Sequence, residues 1–336
     1  MIIEFNHRHS SHCESGVTTN LLKHHGMKGI TEPLAFGIGS GLFFSYLPFL
    51  KMQYAPIITY RTLPGQIFNR ATSALGVKMF KRTFKNPKQS MDELDRALDL
   101  GYPVGLQVGA FDLPFFPSEY RMHYNMHNMI IFGRENGQYL VADPVLEPIQ
   151  KIDYNDLMKV RFPKGTFAPN GKMYYPVIVP KEVDFRPAII TGIKKVSYQM
   201  SKIPFAYVGT KGIRKMANAM AKWPDKLGPK TANYYLGQVL RMQEEIGTGG
   251  GGFRYLYGAF LHEASDILGQ DWLKEMSMEM GSIANEWRNF AYLGAKNCKK
   301  RSDSEISFAD LSQILLKLAD REDAIYLNLS RFSLKK

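Results

Sequence analysis

The chain has very few cysteines. Only Cys13 and Cys298 occur among its 336 residues, and they lie far apart in the sequence. Small domains that depend on disulfides carry many closely spaced cysteines, so a disulfide framework is excluded as the basis of this fold. The cysteine content is typical of a reduced compartment, and it leaves a thiol available for chemistry.

Long apolar segments are also lacking. The first residues, MIIEFNHRHSSHCESG, contain no apolar run behind a basic cluster and no cleavage site, so we expect a cytoplasmic protein without a secretory signal. The longest uncharged stretch, residues 33–50, has 18 residues, which is the lower limit for a membrane span. Three glycines and two prolines within it predict buried turns and short strands instead.

The charge is strongly unbalanced. Lys and Arg number 43 against 31 Asp and Glu, which gives a formal net charge of +12. A basic surface favours an acidic partner, although a solvated basic surface without a partner explains the charge equally well. We predict no nucleic acid, because zinc-finger spacing, an aromatic RNA-binding signature and a basic zipper are all missing from the sequence.

The two halves of the chain differ in composition. The first half is rich in Gly, Pro, aromatic residues and short apolar runs such as PVGLQVGAF, a pattern typical of strands joined by turns. From about residue 185 the apolar residues recur at helical spacing. The sequence therefore predicts an α+β domain with an antiparallel sheet over residues 1–183 and a mainly α-helical domain over residues 184–336.

Cys13 lies where a helix is expected to begin. Ser11 and Glu14 fit the capping-box pattern, and Gly26 is a natural stop for the helix that follows. In the first helical turn, unpaired backbone N–H groups and the positive end of the helix dipole stabilise a thiolate. A lone cysteine is more often a small buried hydrophobic residue, but the polar surroundings HSSHCESG favour a nucleophile.

Residues 127–144, HNMIIFGRENGQYLVADP, predict a β-hairpin. Two apolar runs flank the turn pair Asn136-Gly137. The first residue of one strand then lies near the end of the next, which brings His127 close to Asp143. A base and an orienting carboxylate need this geometry, although a surface histidine and a turn-forming aspartate would fit the hairpin equally well.

These residues resemble those of the butirosin biosynthesis protein H family. The resemblance rests on HCESGVTTNLLKHHG, TEPLAFGIGSGLFF, HNMIIFG and VADP in the first half, and on GTGGGGFRYLYGAFLHEA in the helical half. It implies a papain-like or C39-like cysteine-enzyme domain followed by a helical domain of the DUF4872 type. Cys13 is then the nucleophile, His127 the base and Asp143 the third catalytic residue.

The resemblance also implies an acyltransferase of secondary metabolite biosynthesis. Its partners are an acyl carrier protein, whose phosphopantetheine arm carries the acyl or aminoacyl group as a thioester, and a small-molecule amine acceptor. No bound cofactor or metal is implied. A cysteine hydrolase acting on a thioester or peptide, and a non-catalytic binding protein of the same fold, remain alternatives. The sequence leaves the oligomeric state open, a dimer included.

Other candidate residues are less well defined. Papain-like enzymes often place a Gln oxyanion donor a few residues before the nucleophile, and residues 5–12 contain none. Asn6, His7 and His9 are the candidates to replace it, alongside the backbone N–H of Cys13. His123 is a second candidate base. The segment 111–126 is most simply a partly buried loop, which would also line an acyl pocket. The glycine-rich stretch 247–252 is most simply a turn between helices, with a phosphate held by Arg254 as the alternative. Taken together, the residues expected to contact the oxyanion or the substrate are Asn6, His9, His12, Asp112, Phe115 and Arg254.

Overall fold

The computed structural model describes residues 1–52, 54–246, 249–299 and 306–332. It contains two compact units. The first comprises residues 1–35 and 68–183, and the second comprises residues 36–67 and 184–336. Within the described residues, no helix is both long and apolar enough to cross a membrane.

Strands and helices follow one another along the chain, with most of the strands in the first half. The strands are β1 (Leu42–Met52), β2 (Ala55–Arg61), β3 (Lys78–Arg82), β4 (Val104–Val108), β5 (His127–Glu135), β6 (Gln138–Ala142), β7 (Gln150–Asp153) and β8 (Met173–Ile178). The helices are α1 (Cys13–His24), α2 (Glu32–Ile38), α3 (Gln66–Ala74), α4 (Pro87–Asp99), α5 (Tyr154–Arg161), α6 (Arg186–Ser197), α7 (Gly209–Met220), α8 (Trp223–Leu227), α9 (Pro229–Glu244), α10 (Arg254–Leu268), α11 (Asp271–Lys299) and α12 (Phe308–Ser330).

The first unit is built on a six-stranded antiparallel sheet with strand order β3-β8-β4-β5-β6-β7. Side chains alternate between its two faces, as the pleat requires. On one face, Ile130 and Phe132 of β5 form a core with Val17 and Leu21 of α1. A second core, on the other face, joins β5 to α4 and α5 through residues such as Met129, Ile131, Leu94 and Leu157. The α+β class predicted for this part of the chain is confirmed.

The hairpin predicted from residues 127–144 is present as β5 and β6. Asn136 and Gly137 form its turn, with φ angles of 51° and 80°. A two-residue turn with positive φ at both positions matches the twist of the flanking strands, and Asn-Gly is the pair that adopts it most readily. The turn therefore sets the pairing of β5 with β6 next to it, and a bulge between Ile131 and Gly133 shifts the register by one residue on the way to His127 and Asp143.

The stretch 33–50 differs from the prediction of turns and short strands. It contributes to helix α2 and then to the long strand β1. Thr31 caps the helix, because its hydroxyl accepts a hydrogen bond from the Leu34 N–H at 3.2 Å. Pro33 lies in the first helical turn, where its missing N–H and fixed φ do no harm.

Residues 36–67 belong to the second unit, whereas the sequence-based division placed them in the first domain. Their β1–β2 hairpin buries Phe44 and Tyr60 against the helices of that unit. The rings of Phe44 and Tyr60 lie 6.3 Å and 5.7 Å from the ring of Trp287 in α11. The backbone N–H of Tyr46 also donates to the Tyr207 carbonyl at 2.9 Å. Burial of this hairpin by α11 and its neighbours explains the difference.

The rest of the second unit is helical, as predicted. Helices α9, α10, α11 and α12 lie in the part of the chain, from about residue 185, in which the sequence shows apolar residues at helical spacing. The glycine-rich stretch 247–252 lies between α9 and α10, and its residues 247 and 248 fall outside the described residues.

A buried ion pair joins α10 to α12. Arg254 donates two hydrogen bonds of 3.0 Å to the Glu322 carboxylate, and both side chains are fully buried. The same carboxylate accepts from the Trp287 indole at 2.6 Å and from the Tyr326 hydroxyl at 3.1 Å. Every charge in this cluster has a partner, which is the condition under which burial of ions is tolerated.

We predict that Glu322→Ala destabilises the helical unit by about 3–5 kcal/mol, because Arg254 is left buried and unpaired. Urea unfolding followed by tryptophan fluorescence measures this unit, since Trp223, Trp272 and Trp287 all belong to it. The control is Glu245→Ala, which breaks the exposed Arg241–Glu245 pair and removes only about 0.3–0.5 kcal/mol. Equal effects of the two substitutions would contradict the prediction.

Candidate active site

Helix α1 begins at Cys13, as the sequence predicts, but its cap differs from the predicted Ser11–Glu14 capping box. The N-cap is His12, whose ring nitrogen Nδ1 accepts from the backbone N–H of Ser15. The carboxylate of Glu14 accepts instead from the backbone N–H of Phe68 at 3.0 Å. The helix ends before Gly26, which has a φ of +86° and so takes the left-handed conformation expected of a C-terminal stop.

Glu32 holds the segment that leads into α1. Its carboxylate accepts hydrogen bonds from the backbone N–H groups of Ser11 and His12, at 2.9 Å and 2.8 Å, and from the Ser15 hydroxyl at 3.0 Å. Burial raises the pKa of Glu32, and these hydrogen bonds oppose that shift. The carboxylate thereby fixes the backbone immediately before the candidate nucleophile. The sequence analysis did not identify this residue.

Cys13 is buried, with 4% of its surface exposed. It occupies the first turn of α1, where N–H groups without helical partners and the helix dipole favour a negative charge. The thiolate is the nucleophilic form of cysteine, so this position suits a reactive sulfur.

His127 and Asp143 lie together, as the hairpin predicts. The imidazole Nε2 is 2.7 Å from Asp143 Oδ2, and both side chains are buried. Asp143 Oδ1 accepts in addition from the backbone N–H of Val145 at 3.1 Å, which orients the carboxylate. The ring of Phe116 packs edge-on against the imidazole, with 5.0 Å between the ring centroids. The histidine ring is thus held in one orientation.

The His127 imidazole also shares a hydrogen bond with the Cys13 side chain. Because Nε2 is bound to Asp143, Nδ1 is the nitrogen that serves the sulfur. Burial alone would lower the pKa of His127, but the charge and hydrogen bond of Asp143, with a smaller contribution from Cys13, raise it to about 10. The imidazole is therefore protonated at neutral pH, and an imidazolium beside Cys13 stabilises the thiolate.

The candidates upstream of Cys13 have different surroundings. Asn6 and His9 are exposed, and His7 shares a 2.8 Å hydrogen bond with the Leu146 carbonyl. His12 directly precedes Cys13, but its ring serves as the helix cap. The position of these side chains does not assign an oxyanion donor, and such a role for Asn6, His9 or His12 stays a prediction.

The segment 111–126 contributes to the surroundings of His127 through Phe116. Phe115 is half-buried and packs edge-on against Phe116, with their ring centroids 5.6 Å apart. Asp112 pairs with Lys159 at 2.8 Å. The alternative base His123 is exposed, and its ring stacks on Phe111 at 4.0 Å. His127, rather than His123, is the histidine that the structure pairs with a carboxylate.

Arg254 contradicts the prediction that it holds a phosphate. Its guanidinium is fully buried in the second unit, where two nitrogens bind Glu322 and the third donates to the Gly252 carbonyl at 2.8 Å. Because the guanidinium is fully buried and its charge is paired with Glu322, it is not accessible to a phosphate group. Its role is to stabilise the packing of α10 on α12.

Asn128 is a second residue that the sequence analysis missed. Its side-chain nitrogen lies 3.8 Å from the sulfur of Cys13. Its position directly after His127 in the strand is visible in the sequence, but the candidate oxyanion donors were taken from the residues before Cys13. Within the described ranges, there is no group of three or more His, Cys, Asp or Glu side chains that could hold a metal ion.

Comparison with known families accounts for most of the chain. The family described as butirosin biosynthesis protein H, N-terminal, matches residues 12–144, a range that includes Cys13, His127 and Asp143. A domain of unknown function, DUF4872, matches residues 155–329, just over half of the chain. The chain belongs to the butirosin biosynthesis protein H family. The two matches occur in the order that the resemblance predicted.

Other comparisons add little. No curated protein matches the chain. Among solved structures, the chain is similar to the crystal structure of a protein from Bacillus anthracis described as C39-like peptidase, with 15% identity over 53% of this chain and 97% of the other. The TM-score is 0.37, too low to support an argument.

We predict that Asp143→Asn lowers the pKa of His127 far below 10. Without the carboxylate charge, burial disfavours the imidazolium, so the ring loses its proton at a much lower pH. Titration of the isotope-labelled His127 ring by NMR measures the change. Asp153→Asn, at an exposed position of strand β7, is the matched control and leaves the titration unaltered. A ring that stays protonated to the same pH in Asp143→Asn would contradict the assignment of Asp143.

Proposed function

We propose that the chain is a cysteine-dependent acyltransferase of secondary metabolite biosynthesis. It takes an acyl or aminoacyl group from the phosphopantetheine thioester of an acyl carrier protein, holds it on Cys13 and transfers it to a small-molecule amine. The observation that supports this most is the buried arrangement of Cys13, His127 and Asp143 within a member of the butirosin biosynthesis protein H family.

The first half of the reaction forms an acyl-enzyme. The Cys13 thiolate attacks the carbonyl carbon of the thioester, and the carbonyl oxygen takes the negative charge. When the tetrahedral intermediate collapses, the carbon–sulfur bond to phosphopantetheine breaks. The departing thiolate takes the proton of the His127 imidazolium, so the carrier leaves as a thiol and His127 becomes neutral.

The second half returns the site to its starting state. The amine attacks the acyl-Cys13 carbonyl, and neutral His127 accepts a proton from the nitrogen as the new amide bond forms. Cys13 departs as the thiolate beside the imidazolium. Asp143 keeps the ring oriented in both halves and stabilises its positive charge.

The composition supports the choice of carrier. Acyl carrier proteins are acidic, and a chain with a net charge of +12 attracts an acidic partner electrostatically. The low cysteine content fits a reduced compartment, and we place the protein in the cytoplasm with its carrier.

Intact-protein mass spectrometry tests the proposal. The native chain is mixed briefly with acyl carrier protein thioesters of several chain types, and we expect a mass gain of one acyl group. Cys13→Ala abolishes the gain, whereas Cys298→Ala, which removes the other cysteine, retains it. Addition of an amine then discharges the acyl group as an amide.

Two results would contradict the proposal. Release of the acyl group only as free acid, in the presence of every amine tried, would indicate a hydrolase. Absence of an adduct with every carrier thioester would favour a binding protein that has kept the fold without turnover.

A further inference from the structure

Asn128 is the second residue of β5 and is 5% exposed. Because side chains alternate along a strand, it shares the face of Ile130 and Phe132, on which α1 packs, whereas His127 shares the face of Met129. At this end of the strand, both residues nevertheless contact Cys13. His127 supplies its hydrogen-bonded imidazole, and Asn128 supplies an amide nitrogen 3.8 Å from the sulfur.

The orientation of the Asn128 amide is fixed by two partners. One end lies 3.1 Å from the backbone carbonyl of Met126. A carbonyl can only accept, so this end is the NH₂ group. The Tyr174 hydroxyl donates to the other end, Oδ1, at 2.7 Å. The amide is thus held with its nitrogen, and not its oxygen, facing Cys13.

Tyr174 is itself held in place. Burial raises its pKa well above the usual value, so the hydroxyl keeps the proton that it donates. The ring packs against Phe68, with 4.4 Å between centroids, and lies over Gly105 on the neighbouring strand. A Cβ atom at Gly105 would lie 2.3 Å from the Tyr174 ring, so glycine is what makes room for it.

The donor suits an oxygen better than the sulfur. At 3.8 Å, the hydrogen bond from the Asn128 nitrogen to Sγ is long. Once Sγ has bonded to a thioester carbon, the developing oxyanion is attached to that same carbon, one bond beyond the sulfur. Donors that stabilise an oxyanion lie about 2.7–3.1 Å from it, a distance that this nitrogen can reach.

We infer that Asn128 is the side-chain donor of the oxyanion hole, paired with the backbone N–H of Cys13, and that Tyr174 is the residue that positions it. The inference rests on the proposed acyl chemistry of Cys13. Asn128 would then supply the side-chain amide that is missing upstream of Cys13, where residues 5–12 contain no Gln. Base and oxyanion donor then come from adjacent positions of one strand.

The test compares two reactions of Cys13 in a Cys298→Ala background. Acylation by p-nitrophenyl acetate passes through an oxyanion, whereas alkylation by iodoacetamide does not. We expect Asn128→Ala to slow acylation about 10²–10³-fold, the usual effect of losing one oxyanion donor, and to leave alkylation close to the native rate. Tyr174→Phe, which keeps the ring, gives a smaller loss with the same selectivity. Asn125→Ala, three residues earlier, leaves both rates unchanged.

Several outcomes would overturn the inference. These are an unchanged acylation rate in Asn128→Ala, or an equal fall in acylation and alkylation, which marks an effect on the sulfur or on the fold. Failure of the ester to acylate native Cys13 would overturn both the inference and the proposed function. Acylation by the ester but by none of the carrier thioesters overturns the proposed function alone, because the comparison of Asn128→Ala with the native chain is still measured.

Discussion

The candidate site depends on the hydrogen bond between His127 and Asp143. A buried imidazole resists protonation, and a buried carboxylate requires a partner, so neither side chain is stable there without the other. Their pairing reverses the effect of burial and raises the pKa of His127 to about 10. The positive charge that results lies beside Cys13, whose position at the start of α1 already favours a thiolate. Helix, hairpin and ion pair therefore act on the same sulfur.

The parts of this arrangement that local sequence determines could be predicted. The Asn136-Gly137 turn predicts the β5–β6 hairpin, and the pairing of its strands, with a bulge between Ile131 and Gly133, brings His127 and Asp143 together. The start of α1 at Cys13 was likewise predictable. Its cap was not, because Glu32 lies about twenty positions further along the chain and binds the backbone N–H groups of Ser11 and His12 from there. A capping box is a local sequence pattern, and it carries no information about a carboxylate that reaches the same N–H groups from a distant part of the chain.

The same limit applies to the second unit. Helical spacing predicted α9 to α12, but it did not predict that Arg254 pairs with Glu322, 68 positions away. An arginine next to a glycine-rich stretch has the composition of a phosphate site, and only its burial shows that the charge serves packing. The β1–β2 hairpin is a comparable case. Residues 33–50 were predicted to form buried turns and short strands, but Trp287, which packs against Phe44 and Tyr60 of this hairpin, lies more than 200 positions further along the chain.

His127 and Asn128 are adjacent residues of one strand, and each has its own supporting contacts. Alternation sends His127 and Asn128 to opposite faces of the sheet, so each is supported by its own set of contacts: Asp143 and Phe116 for the histidine, Tyr174 and the Met126 carbonyl for the asparagine. Neither set shares a side chain with the other. Because backbone pairing with β4 fixes both residues at once, the imidazole and the amide keep their spacing beside Cys13. A donor carried upstream of the nucleophile would need a separate support, and here the strand that carries the base already provides one.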